Sequence, residues 1–321
     1  MNKSKRNSRL SMMKNGISLS AMLTLGLLFA LPVQASENNQ SSWQEDEKGD
    51  WYMKGALTGV AGTYSSSSQR DTFYSAGFNV SGEYLERHGL SFGYTSSTIN
   101  FKAGADAVSQ NEFFLGGHKR FNPDGMKGTI DMRLNSHYIS NDDSTDNTNG
   151  VKVVAPLVSF LSYTKSVYLD MGYAYSIYKN DLNVNQVTPT IGFAFNDASD
   201  WVQLRGYIIS LSNADRAQGK ESTVAGQLKW THWLASDNFL KLDTFSLGGM
   251  VGERIYAVDF DNLSVYNLAD VQKGSVAVDL SWKLGSSASL LFHAGHDLYE
   301  NLTIDEKYSS SAAVLSLSME W

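Results

Sequence analysis

The sequence predicts an all-β fold: a single antiparallel transmembrane β-barrel of about fourteen strands, with 12 or 16 left open. Three observations predict it. Long segments alternate apolar and polar residues with period two, as a strand does when one face is greasy and the other wet. The polar faces carry opposite charges close together, as at Asp131 and Arg133 or Asp279 and Lys283. The connections between segments alternate between short and long. Alternation alone would also fit a soluble sandwich with its apolar face inward. The charge pattern and the connection lengths favour a barrel in lipid.

The elements follow in order. Residues 1–35 carry Lys3, Lys5, Arg6, Arg9 and Lys14 and no acid. A mostly apolar run from Ile17 to Leu31 leads to the small-residue site Val33-Gln34-Ala35. This is the pattern of a secretory signal peptide, with cleavage expected after Ala35. Ser18, Ser20 and Thr24 interrupt the run, which is short for a spanning helix, and no later segment holds about 18 consecutive apolar residues. Residues 36–50, with Glu37, Glu45, Asp46, Glu47 and Asp50, read as a disordered acidic tether in the periplasm. The barrel is expected over residues 51–321, without a second domain or an internal repeat.

Within it, Tyr74, Ala76, Phe78, Val80, Gly82 and Tyr84 alternate with Ser75, Gly77, Asn79, Ser81 and Glu83. The turn Glu86–Gly89 returns the chain through Leu90, Phe92 and Tyr94. Similar runs start at Ile130, Val167 and Val276. Further short connections are read at 122–127, 164–166, 197–200, 234–238 and 285–288. Longer polar ones are read at 65–71, 97–110, 140–150, 179–183, 212–222, 251–272 and 300–309. Three segments fit poorly. Val151–Tyr163 is apolar on both faces and contains Pro156. Pro156 and Pro189 should fall at strand ends or bulges, because proline lacks a ladder donor. Phe239–Met250 changes parity between Leu242 and Phe245, which a bulge near Asp243 would reconcile. Trp51, Tyr84, Phe121, Tyr163, Trp201 and Trp321 gather near one set of strand ends, as an interfacial aromatic girdle would.

Composition narrows the function. Cysteine is absent, so packing or a closed ladder must hold a secreted product together. Beyond residue 35 the chain has 21 Lys+Arg against 33 Asp+Glu, a formal charge of −12. That balance argues against nucleic acid as a partner. Parity places Lys54, Glu83, Asp131, Arg133, Asp170, Arg205, Lys229, Asp279 and Lys283 in the lumen, close to charge balance. Tyr168, Tyr207 and Trp233 share that parity. The longest connection, 251–272, carries Arg254, Tyr256, Phe260 and Tyr266. A loop that apolar is expected to fold into the mouth as a constriction, or else to form a hairpin for recognition.

Nothing reads as catalytic. His137 and Ser140 are three apart and would face opposite sides of a strand, as would His293 and His296. Asp142, Asp143 and Asp146 lack the spacing and terminal Glu of a calcium loop. No motif for a metal or another cofactor is present, and none is expected.

The last nine residues, Ala313 to Trp321, alternate and end on an aromatic. With the leader and the strand pattern, this resembles Gram-negative outer-membrane β-barrels over most of the chain. The resemblance implies a bacterial outer-membrane location with both termini periplasmic. It implies Leu317, Met319 and Trp321 as the signal for the barrel-assembly machinery, and outer-membrane lipid and lipopolysaccharide as surroundings. In size the chain is similar to monomeric fourteen-stranded porins, which implies a passive channel for a small hydrophilic solute. Two alternatives stay open: a docking, assembly or polysaccharide-export partner without an open pore, and a lipid-modifying enzyme. No specific family matches, so no family's functional residues are carried over.

Overall fold

The computed structural model describes residues 51–321 apart from 103, 144–146 and 236–237. The leader (1–35) and the tether (36–50) lie outside the described residues. The strands are β1 (Trp51–Ser65), β2 (Arg70–Tyr84), β3 (His88–Phe101), β4 (Val108–Phe121), β5 (Gly128–Asn141), β6 (Val151–Ser162), β7 (Val167–Ile177) and β8 (Asn183–Phe195). They continue with β9 (Asp200–Leu211), β10 (Ser222–Trp233), β11 (Thr244–Arg254), β12 (Val258–Asp259), β13 (Ser264–Val265), β14 (Val271–Lys283), β15 (Ala288–Asn301) and β16 (Glu306–Glu320). All but β12 and β13 form one closed antiparallel barrel of fourteen strands. β1 closes it against β16, from Lys54 opposite Glu320 to Ser65 opposite Ser309. β12 and β13 pair only with each other, inside the connection from β11 to β14.

Closure removes every free strand edge, so each ladder finds a partner without a second layer. The apolar parity faces outward. Leu57, Leu90, Leu115, Leu134, Leu204, Leu228 and Val276 are exposed around the whole barrel, Leu90 at 70%. An apolar band of that extent is unfavourable in water and favourable in hydrocarbon. The sandwich reading falls with it, because Leu315, Leu317 and Met319 are exposed instead of packed on a second sheet.

The barrel has a terminal end, where both described termini lie, and a far end. At the terminal end Trp51, Tyr84, Phe121, Tyr163 and Trp321 are exposed, with the Trp51 and Tyr84 rings 5.3 Å apart. Trp201 is a correction. It falls on the inward parity of β9, and its ring covers Gly192, where an added Cβ would lie 2.4 Å from the indole.

Connection lengths also differ from expectation. The far-end links 66–69 and 302–305 are tight turns. There the ladders run on through Thr63 opposite Thr72 and Asn301 opposite Glu306, polar residues that carry no apolar alternation. At the terminal end, 234–243 is the long link. Asn238 organises it, accepting from Leu242 N at 3.0 Å and donating to Ala235 O at 2.6 Å. Leu240 and Leu242 are thus turn residues, and the parity change needs no bulge near Asp243. The register shifts of β11 and β14 fall instead between Val251 and Arg254 and between Gln272 and Gly274, at the two roots of the longest loop.

The prolines lie inside strands, not at ends or bulges. Pro156 is paired with Leu134 on the β5 side, but the β6–β7 register skips from Val154 to Leu157. Pro189 is paired with Met171 on the β7 side, and the β8–β9 register skips from Val187 to Thr190. Each proline's missing N–H therefore falls on a local gap in one ladder, while the other ladder holds the strand.

Candidate functional site

The candidate site is the interior, and residues 255–270 divide it. This loop leaves the far end of β11, folds back into the barrel and returns to β14. The connection is shorter than 251–272, because Val251–Arg254 and Val271–Gln272 stay in their strands.

The loop has two legs with different chemistry. Its first leg is apolar. Ile255, Tyr256, Ala257, Val258 and Phe260 pack with Val153, Ala155, Leu157, Ala174, Tyr178, Val184 and Ile209 from β6–β9 and their links. This explains why Val151–Tyr163 is greasy on both faces: one meets lipid and the other meets the loop. The Tyr256 ring lies tilted against Tyr178, 4.7 Å between centroids, and its hydroxyl donates to Arg216 O at 3.0 Å. The Gln186 side chain clasps the Val258 backbone, donating to its carbonyl at 2.6 Å and accepting from its N–H at 2.9 Å.

Phe260 sits over Gly172, where an added Cβ would lie 2.7 Å from the ring. Gly172→Val should therefore push Phe260 off the wall, at an overpacking cost of about 1–3 kcal/mol. Hydrogen exchange of the 257–262 amides is expected to quicken; unchanged exchange would contradict this anchor.

Magnitudes decide whether this leg moves. Ile255, Tyr256, Val258 and Phe260 are all at most 4% exposed. At about 1.5–3 kcal/mol each, their burial contributes on the order of 10 kcal/mol, as an upper estimate. Opening that brings all of these side chains into water is therefore rare. The first leg is fixed to the wall.

The second leg is held by polar ties. Asp270 is the hub: it lies 2.7 Å from Arg70 and accepts from Tyr308 at 2.7 Å, Gln218 at 2.8 Å and Asn301 at 3.0 Å. The Arg70 guanidinium lies 4.8 Å above the Tyr308 ring. Asn267 donates to Gln110 and to Thr148 O, both at 2.8 Å. Arg254 stacks on Tyr266 at 4.0 Å and donates to Gln272 at 2.9 Å. Leu268 joins a buried far-end cluster with Tyr64, Phe73, Ile99, Tyr299 and Tyr308.

At the tip, Asp261 accepts from Arg205 at 2.7 Å and from Gln203 at 3.2 Å. Asp259 and Asp170 lie 3.8 and 3.9 Å from the same guanidinium. Burial opposes the Asp261 charge, but Arg205 outweighs it and holds the carboxyl below the usual range. The stability this tie gives is complete above the unfolded carboxylate pKa of about 4 and is lost as pH falls through the lower folded value.

All nine residues read as luminal occupy inward positions of the ladders. They do not form one site. Asp170 and Arg205 meet the loop tip. Asp131 bridges Arg133 at 3.0 Å and Arg120 at 3.4 Å, and Arg120 reaches Glu83 at 3.0 Å. Asp279 takes Lys229 at 2.9 Å and His293 at 2.6 Å. Lys54 pairs with Glu320 and Lys283 with Asp243 near the terminal end. Tyr168, Tyr207 and Trp233 also take inward positions.

Sequence reasoning missed Asp270, Arg70 and Gln186. Each finds its partner in the loop contact far away in the chain, Asp270 with Arg70 and Gln186 with Val258. It also missed Glu112, which lies 2.8 Å from His137 inside the barrel. His137 is inward and Ser140 is on the outward parity, so they do not meet. His293 is inward and His296 is outward, beside Ser311. Asp142 accepts from Ser109 N at 2.7 Å, as a turn residue. Among the described residues no group of three His, Cys, Asp or Glu side chains is placed to hold a metal ion.

No family model matches this sequence, and no curated protein does. By structure the chain is similar to the TodX deltaS2S3 mutant monoaromatic hydrocarbon channel, with a TM-score of 0.51 and 9% identity over 84% of this chain and 90% of that one. It is similar to the Pseudomonas putida toluene transporter TodX, at TM-score 0.50 and 8% identity over 84% and 89%. It is also similar to a bacterial polysaccharide outer membrane secretin, at TM-score 0.50 and 10% identity over 84% and 98%. At such identities the likeness shows the fold, a closed antiparallel barrel.

Proposed function

We propose that the chain is a porin-like passive channel of the bacterial outer membrane for small hydrophilic solutes, with residues 255–270 as its constriction. One observation carries the reading: a lipid-facing barrel whose inward parity is polar is narrowed from within by its own loop. Tyr256, Phe260 and Tyr266 then act as the body of that constriction, with Arg254 at the end of β11 holding Tyr266. The transport named for TodX supports a channel. Its apolar cargo does not carry over, because Thr58, Ser75, Asn79 and Thr95 face this interior. We assign no catalytic role.

In this reading residues 1–35 are removed on export, 36–50 tether the terminal end in the periplasm, and the far end faces outward. Lipopolysaccharide and lipid surround the apolar band. The assembly machinery reads Leu317, Met319 and Trp321, so deleting Trp321 should lower the yield of folded barrel in membranes; an unchanged yield would remove that role.

Reconstitution in planar bilayers tests the channel. Stepwise conductance is expected from protein that keeps its folded, heat-modifiable mobility. Folded protein without steps would overturn the reading. That result would favour a docking or polysaccharide-export partner without an open pore, which the similarity to the secretin and the buried far-end cluster around Leu268 support.

A further inference from the structure

We infer that the space at the tip of the inward loop is a solute-binding site, and that it takes a neutral solute of one to three carbons, a small polyol or amide. The inference rests on the channel reading and deepens it.

Position comes first. The first leg of the loop is packed on β6–β9 and stays there. At the tip the loop's opposite side, Asn262 and Leu263, faces the β1–β4 wall. A cavity lies in that gap, lined by Thr58, Asn79, Thr95, Glu112, Phe114 and Asn262 among others. Around it the wall residues Thr58, Ser75, Gly77, Asn79 and Thr95 are part-exposed, whereas the inward residues of β6 facing the first leg are buried. The wet half of the interior is here.

Chemistry comes next. Hydroxyl and amide groups line the cavity from both the wall and the loop. The Asn262 side-chain oxygen Oδ1 is buried and has no hydrogen-bond partner in the protein. Glu112 is the one carboxylate of the lining, which holds no Lys, Arg or His, and His137 occupies it at 2.8 Å. An anion would meet the carboxylate, and a cation would have to displace the imidazole. A neutral solute with both donors and acceptors meets neither cost, and Phe114 offers its carbon skeleton one apolar face.

Size sets the last limit. The cavity measures about 50 Å³. One water needs roughly 10–15 Å³ on this measure, so the space holds about three to five waters. Glycerol or urea matches it. A hexose does not.

Saturation-transfer NMR on the folded full-length barrel in micelles tests the site, with glycerol, urea and glucose as probes. Glycerol and urea should show transfer and glucose should not. Asn262→Leu should abolish the glycerol signal. Asn79→Leu, on the opposite wall, should do the same while the mobility of the folded form is unchanged. Equal transfer to glucose, or a glycerol signal that survives both substitutions, would overturn the site. Conductance in bilayers separates the two readings: steps without glycerol transfer sink the site alone, and transfer that Asn262→Leu abolishes, seen without steps, sinks the channel and leaves the site standing.

Discussion

Replacing residues 257–269 by a short glycine-serine linker will turn small conductance steps into large ones. The barrel does not need the loop for its ladders, because every strand is paired on both sides without β12 and β13. The loop instead fills the interior from the β6–β9 wall to the gap before β1–β4. A fourteen-stranded barrel is too wide for its own side chains to fill. Removing the loop should therefore leave a wet pore and exclude solutes less sharply. Single-channel recording checks this, together with liposome swelling in glycerol and in glucose. Glucose should enter only the loop-replaced protein. Equal conductance and equal exclusion in both proteins would show that the loop does not constrict the pore.

Asp270→Ala will release the second leg and leave the first in place. Arg70 and Asp270 have side chains only 3% and 1% exposed. Removing the carboxylate leaves a buried guanidinium without its counter-charge, a loss of about 3–5 kcal/mol. Tyr308, Gln218 and Asn301 lose their acceptor in the same step. The closed ladders keep the strands together, so the loss should appear as opening of the far rim near Leu268. Limited proteolysis is expected to cut within 266–271 and to spare 255–260, and channel open times should lengthen. Protection unchanged across 266–271 would show that Asp270 is not the tie that holds the rim.

These two results follow from features that differ in how visible they are in the sequence. The outward face was legible, because lipid demands an apolar residue at every second position, as at Leu57, Leu315 and Leu317. The inward parity of Lys54, Asp131, Arg205 and Asp279 follows from the same rule. The loop was legible as long and greasy, through Tyr256, Phe260 and Tyr266. What it touches was not. Phe260 over Gly172, Asp261 on Arg205 and Asp270 on Arg70 join positions that nothing local connects. The doubly apolar β6 carried the one available signal: an inward face that greasy requires a partner inside the barrel. Trp201 misled because aromatics at a strand end serve a girdle or an interior equally well, and only parity separates the two. The prolines misled because a barrel strand has two ladders and can lose one contact.

Cysteine labelling tests the central claim most directly, because the chain has no native cysteine. Single substitutions at Leu57, Thr58, Asn79 and Phe260 are exposed, in membranes, to a small water-soluble thiol reagent and to a lipid-attached quencher. The account predicts labelling from water at Thr58→Cys and Asn79→Cys, lipid quenching alone at Leu57→Cys, and protection from both at Phe260→Cys. Water labelling at Leu57→Cys with none at Thr58→Cys would contradict the lipid-facing barrel, and free labelling at Phe260→Cys would contradict the fixed inner loop.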